Sequence, residues 1–163
     1  GQNLMQRSRV LESCTAELEA RRAAEPKKLQ SGRQILTGPQ VAEHMAPDVR
    51  SVPQTATLRE AGRLMQKWKT GSLLVTDDHT YVGFITDTAL AHHVVANGLD
   101  ANTTRVQSCV RKPLVAIHGD RPLIEAVRLM KEQATRHLAV AQDGEIIGVI
   151  SVSNILRYYS GVI

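Results

Sequence analysis

The sequence predicts a mixed α/β fold of the α+β kind: two β-α-β-β-α repeats packed with pseudo-two-fold symmetry, preceded by an N-terminal helix. Three observations carry that reading. At residues 148–156, Gly-Val-Ile-Ser-Val-Ser-Asn-Ile-Leu, a buried strand turns directly into a helix. Ile146, Ile147, Val149 and Ile150 form a short β-branched run, and Ser151, Ser153 and Asn154 crowd the junction with side-chain oxygens suited to the free N–H groups of a first helical turn. The junction occurs twice, because sliding the chain by 65 residues without a gap places Gly83-Phe84-Ile85-Thr86-Asp87-Thr88-Ala89-Leu90 on residues 148–155. The same register then holds through the repeat: Val41 falls on Val106, Leu58 on Leu123, Glu60-Ala61 on Glu125-Ala126, Arg63-Leu64-Met65 on Arg128-Leu129-Met130, and Val75 on Val140. Two copies are too few for a solenoid, which leaves two like units packed face to face.

Taken in order, residues 3–24 read as a helix, with Leu4, Leu11 and Leu18 seven apart and several alanines between them. So thin a stripe is marginal alone, so the helix is expected to dock. Residues 26–39, with Lys27-Lys28, Ser31-Gly32 and Gly38-Pro39, read as a linker. In the first repeat, residues 50–52 read as a brief strand, and Thr57 as the N-cap of a helix over 58–68 with Glu60 in its first turn. Ala61, Leu64, Met65 and Trp68 share one face of that helix and read as core. Strands 73–75 and 81–85 flank the polar turn 77–80, a hairpin by length and residue type. A helix over 88–96 follows, closed by Asn97-Gly98. His92 and His93 are adjacent, diverge by about 100°, and read as surface residues rather than a metal pair.

The second repeat repeats this plan. A strand is expected over 114–117, and Pro122 suits the first turn of a helix over 123–133. Residues 136–140 and 146–150 are the next strands, joined by the turn 142–145. The expected domain organisation is therefore 1–38 for the N-terminal helix and linker, 39–100 for the first repeat and 101–163 for the second.

Composition bounds the function. A hydrophobic content of 42% in 163 residues is enough for a core. No apolar run approaches the ~20 residues needed to span a bilayer, and no charged-then-apolar leader opens the chain, so no membrane partner and a cytoplasmic location are expected. Gly1 in place of Met is expected to mark a processed or truncated start or a cloning remnant. Cys14 and Cys109 have no metal-ligand spacing and fit a reducing compartment. The formal charge of +4 is concentrated in residues 1–40, where acids interleave with the bases, and aromatics are only 3%, which argues against nucleic acid as a partner. No nucleophile elbow, glycine-rich phosphate loop, metal set or placed carboxylate pair is present, so the chain is not expected to be an enzyme.

Over residues 40–160 the chain resembles the tandem cystathionine β-synthase (CBS) motif pair, also called a Bateman module. The carriers are the lead-in Val41-Ala42-Glu43-His44-Met45, the amphipathic helices at 58–65 and 123–130, the apolar strand before each acidic turn, and the repeated Gly-hydrophobic-hydrophobic-Thr/Ser-x-x-Asp/Asn pattern. The resemblance implies clefts between the sheets that hold adenine nucleotides or related ligands, with the hydroxyl near phosphate and the acid or amide on the ribose.

The two copies differ where this chemistry falls. Asn154 offers an amide, whereas Ala89 in the first copy offers nothing; Arg136-His137 stand where the first copy has Gly71-Ser72. Basic side chains at that place in the resembled family reach the ligand's phosphates, and arginine's fork suits phosphate. Successive strand residues face opposite ways, so Arg136 is preferred to His137. A plain helix cap at the junction and a structural surface pair at 136 and 137 remain the bland alternatives. The expected nucleotide site is Arg136, His137, Gly148, Ser151, Ser153 and Asn154, with a weaker or vestigial one at Gly83, Thr86 and Asp87. The expected function is a regulatory module that binds AMP, ADP or ATP, or else NAD or S-adenosylmethionine, in the inter-repeat cleft and transmits occupancy to a regulated protein partner. The alternative is a ligand-free dimerisation scaffold. A homodimer is expected in both cases, from helical faces broader than one repeat covers.

Overall fold

The computed structural model describes residues 38–161. The helix expected over 3–24 and the linker as far as residue 37 lie outside the described residues. The chain divides into two compact units that differ from the two continuous repeats. Val49–Val115 form a central unit, and the described residues up to Asp48 join those from Ala116 onward in a terminal unit. Each repeat has therefore given its lead-in to the other unit.

The central unit holds a three-stranded sheet of β1 (Ser51–Pro53), β2 (Ser72–Asp77) and β3 (Thr80–Thr86) in the order β1-β2-β3. β1 runs parallel to β2, and β2 pairs antiparallel with β3 from Ser72↔Thr86 to Asp77↔Thr80. The connection from β1 to β2 is the helix α2 (Leu58–Trp68); α1 is the short lead-in helix Val41–His44. The expected cap is present as a reciprocal capping box: the Glu60 amide donates to Thr57 Oγ1 at 3.2 Å, and the Thr57 amide donates to Glu60 Oε2 at 2.9 Å. Leu58, Ala61 and Met65 are buried with Val52, Leu73, Val75 and Ile85, while Leu64 and Trp68 pack half-buried against them. The Trp68 ring carries the Arg50 guanidinium 4.9 Å from its centroid.

The helix after β3 begins at Asp87, one residue earlier than expected. It starts as α3 (Asp87–Leu90) and widens into a π-helix over Ala91–Ala96. Asn97 is its C-cap and Gly98 takes the left-handed conformation, φ +73°, as the Asn-Gly pair predicts. His92 is exposed and His93 half-buried.

In the terminal unit, β4 (Ala116–His118), β5 (His137–Gln142) and β6 (Glu145–Ser151) repeat the arrangement, with α4 (Leu123–Glu132) between β4 and β5 and α5 (Val152–Ser160) after β6. β4 begins two residues later than the expected strand. Arg136 lies just before β5 rather than in it, and Pro122 is the N-cap of α4, not its first helical residue. The tight turn at Asp143-Gly144 has both residues left-handed, φ +53° and +79°, which suits a two-residue hairpin.

The exchanged lead-ins are tied down in matching ways. In the terminal unit Ala46 and Val149 exchange both backbone hydrogen bonds, at 2.8 and 3.0 Å; in the central unit Arg111 and Phe84 do the same, at 2.9 and 3.2 Å. These two pairs are related by the same 65-residue offset as the repeats.

Candidate functional site

The strand-to-helix junction of the terminal unit forms because an apolar strand ends on a residue that caps. Ser151, φ −125° and ψ 165°, is the N-cap of α5. Its Oγ accepts from the Asn154 amide at 3.3 Å, while Asn154 Oδ1 accepts from the Ser151 amide at 2.8 Å and from Ser151 Oγ at 2.9 Å. The Asn154 carboxamide oxygen is thus engaged by the cap, and its Nδ2 is the group that remains to donate to a ligand.

Sheet pairing brings the second half of the predicted site to this junction. His137 opens β5 opposite Ser151, so the two occupy one face of the ladder. The Arg136 carbonyl accepts from the Val152 amide at 3.1 Å, which fixes Arg136 at the start of α5. Arg136 is half-buried, and its guanidinium makes no hydrogen bond or ion pair among the described residues. Ser153 is exposed in the first turn of α5. The Ser151, Val152 and Asn154 amides are engaged within the protein, so what suits this helix N-terminus to an anion is its dipole, the exposed Ser153 hydroxyl and the arginine beside it.

Gly148, expected among the ligand residues, has a different position. A Cβ there would overlap the Ala46 carbonyl oxygen and stand 2.7 Å from Met45 Sδ. The lead-in covers it, and its lack of a side chain lets that backbone approach. Gly83 is covered in the same way by the Arg111 carbonyl, with Val110 Cγ2 at 3.0 Å from a Cβ position. Both glycines are packing residues.

The corresponding junction in the central unit is built differently. Thr86 caps α3 by accepting from the Ala89 amide at 3.1 Å, without the reciprocal bond, since Ala89 has nothing to return. Asp87 follows; its Oδ1 accepts from the Thr88 amide at 2.7 Å, and its Oδ2 lies 2.9 Å from where a Gly71 Cβ would be. A carboxylate therefore stands at this helix start, on the side where Arg136 stands in the other unit. It satisfies the helix dipole and repels a phosphate. The sequence signal was available: an acid directly after the N-cap threonine, with glycine in the arginine's place.

Among the described residues no group of three or more His, Cys, Asp or Glu is placed to hold a metal ion. No helix among them is long and apolar enough to cross a membrane.

Comparison with known proteins decides the family. The model described as "CBS domain" matches twice, at residues 41–96 and 106–161. The chain belongs to the CBS domain family. Among curated relatives, CBS domain-containing protein CBSCBSPB5 of Arabidopsis thaliana is 33% identical over 107 residues, 65% of this chain and 20% of that protein. This chain therefore spans about a fifth of that relative's length. Among solved structures, the hexameric CBS-CP12 protein from bloom-forming cyanobacteria is similar at a TM-score of 0.71 and 30% identity, covering 77% of this chain and 75% of the other. The CBS domain pair of protein MJ0100, solved in complex with 5′-methylthioadenosine and S-adenosyl-L-methionine, shares the fold at a TM-score of 0.68 and 19% identity, over 77% of this chain and 98% of that one.

Proposed function

We propose that this CBS pair is a regulatory sensor whose ligand is an adenine nucleotide or a related adenosyl compound, seated at the β6–α5 junction. Arg136 faces the phosphate or other anionic group, the Ser153 hydroxyl donates beside it, Ser151 holds the Asn154 amide through its own hydroxyl, and Asn154 Nδ2 donates to the sugar. His137 flanks the site from the neighbouring strand. The observation that carries this reading is the pairing of His137 with Ser151, which sets Arg136 against the first turn of α5. The adenosyl compounds bound by the MJ0100 pair support the ligand class. Occupancy shifts the population between two arrangements of the protein and alters how it engages a protein partner.

A ligand-free dimerisation scaffold is the second reading, and one observation favours it: Ser151 and Asn154 satisfy each other in a capping box without any ligand. A thermal-shift screen of AMP, ADP, ATP, NAD and S-adenosylmethionine separates the two. A ligand of the folded state stabilises it by about 2.7 kcal/mol at a hundredfold excess over Kd, whereas the scaffold responds to none of them.

A further inference from the structure

The lead-in of the terminal unit, residues 40–46, lies against the candidate site on both of its sides. On the strand side, Ala46 exchanges its two hydrogen bonds with Val149, two residues before the N-cap Ser151. On the helix side, the His44 ring meets Tyr158 of α5 edge-on, with centroids 4.5 Å apart. The other end of the strap is fixed to the loop after β4, where the Val41 and Ala42 amides donate to the Arg121 and Gly119 carbonyls at 3.0 and 2.9 Å. Gly148 lets the strap lie flat on β6, because any side chain there would meet the Ala46 carbonyl and Met45.

The strap of the central unit makes the equivalent bonds, through Arg111 and Phe84, but its place in the chain is different. It connects one described element to the next, whereas residues 40–46 follow residues 1–37 with only Gly38 and Pro39 between. Of the two straps, only the first joins a candidate ligand junction to the N-terminal stretch of the chain that lies before the described residues.

We infer that occupancy of the β6–α5 junction is transmitted through the strap at residues 40–46 to the segment that precedes it; this rests on the junction being the ligand site. Peeling the strap frees Val149, two residues before Ser151 on β6, and Tyr158, four residues after Asn154 on α5. A ligand gripping the first turn of α5 binds the closed strap better than the open one, so it suppresses strap opening. Linkage makes this reciprocal: whatever holds the segment before the strap in place also tightens ligand binding.

The test uses the full chain. AMP, ADP, ATP and S-adenosylmethionine are first titrated by calorimetry, and the one that gives heat is added at a hundredfold excess over its Kd for residue-resolved amide hydrogen exchange. If opening destroys the site, exchange at Ala42, Ala46 and Val149 slows by up to about 100-fold. Phe84 and Arg111, the matching pair in the central unit, serve as the internal control and change by less than twofold. Measured binding with unchanged exchange at Ala46 and Val149, or with equal slowing at both straps, overturns the inference while leaving the ligand site standing. No heat from any of the four compounds overturns the ligand site, and the inference with it.

Discussion

Replacing Gly148 by alanine tests the exchanged architecture at its tightest point. The new methyl would overlap the Ala46 carbonyl oxygen and press on Met45 Sδ at 2.7 Å. One of these contacts is backbone, so a rotamer change in Met45 does not relieve both. The strap must lift, and the Ala46–Val149 pair loses two hydrogen bonds of 2.8 and 3.0 Å. Each is worth about 0.5–1.5 kcal/mol net, so the variant loses about 2 kcal/mol. At this chain length that lowers the melting temperature by about 4–8 °C. Gly62→Ala, in α2, is the control. A Cβ there meets only Leu90 Cδ1 at 3.8 Å, an ordinary contact, so removing a helix-interior glycine stabilises by about 0.5–1 kcal/mol. Thermal and urea unfolding followed by circular dichroism read both. A Gly148→Ala protein that melts at or above the wild-type temperature, while Gly62→Ala rises as expected, refutes the covered position of Gly148.

Three further outcomes follow from particular contacts. Thr57→Ala removes one half of the capping box on α2 and costs about 1 kcal/mol in urea unfolding, whereas Thr57→Ser restores most of it. Burial raises the Cys109 thiol above its ordinary pKa of 9.0, so its neutral form stabilises the fold below the unfolded thiol's pKa. That stability is lost as pH rises through the folded value. In a Cys14→Ser background, Cys109 therefore reacts with a thiol reagent at pH 8 far more slowly in the native protein than in urea. Light scattering at micromolar concentration is expected to give a homodimer mass, since Val95 is 82% and Leu156 41% exposed on the helices after β3 and β6.

What the sequence makes legible is local. The Thr57 cap, the two hairpins and the Asn97-Gly98 ending are each specified by residues within a few positions of one another, and each is found in the structure. The 65-residue offset is equally direct, because like sequence forms like elements. The exchange of lead-ins is a long-range matter: nothing in Val41 or Ala46 itself names Arg121 or Val149 as its partner. Its one local trace is a glycine inside each β-branched strand, Gly83 and Gly148, which signals close backbone approach as readily as a ligand. Asn154 shows the same ambiguity. An amide three residues after an N-cap serine serves a cap or a ligand, and the structure directs its oxygen to the cap and leaves its nitrogen. The widening of the helix at Ala91–Ala96 into a π-helix has no counterpart in the residue pattern.

The asymmetry between the two junctions is the centre of this account, and binding stoichiometry tests it most directly. The central junction lacks the arginine and the amide and carries the Asp87 carboxylate instead. Losing the arginine's charged hydrogen bond costs roughly 1.5–3 kcal/mol and losing the amide's neutral one about 0.5–1.5 kcal/mol, so together they weaken that site by about one and a half to three orders of magnitude. Calorimetry with AMP, ADP, ATP and S-adenosylmethionine is expected to give one ligand per chain, abolished in the Arg136→Ala, Asn154→Ala double variant and little changed in Thr86→Ala. Two equal sites per chain, or undiminished binding by the double variant, would contradict it.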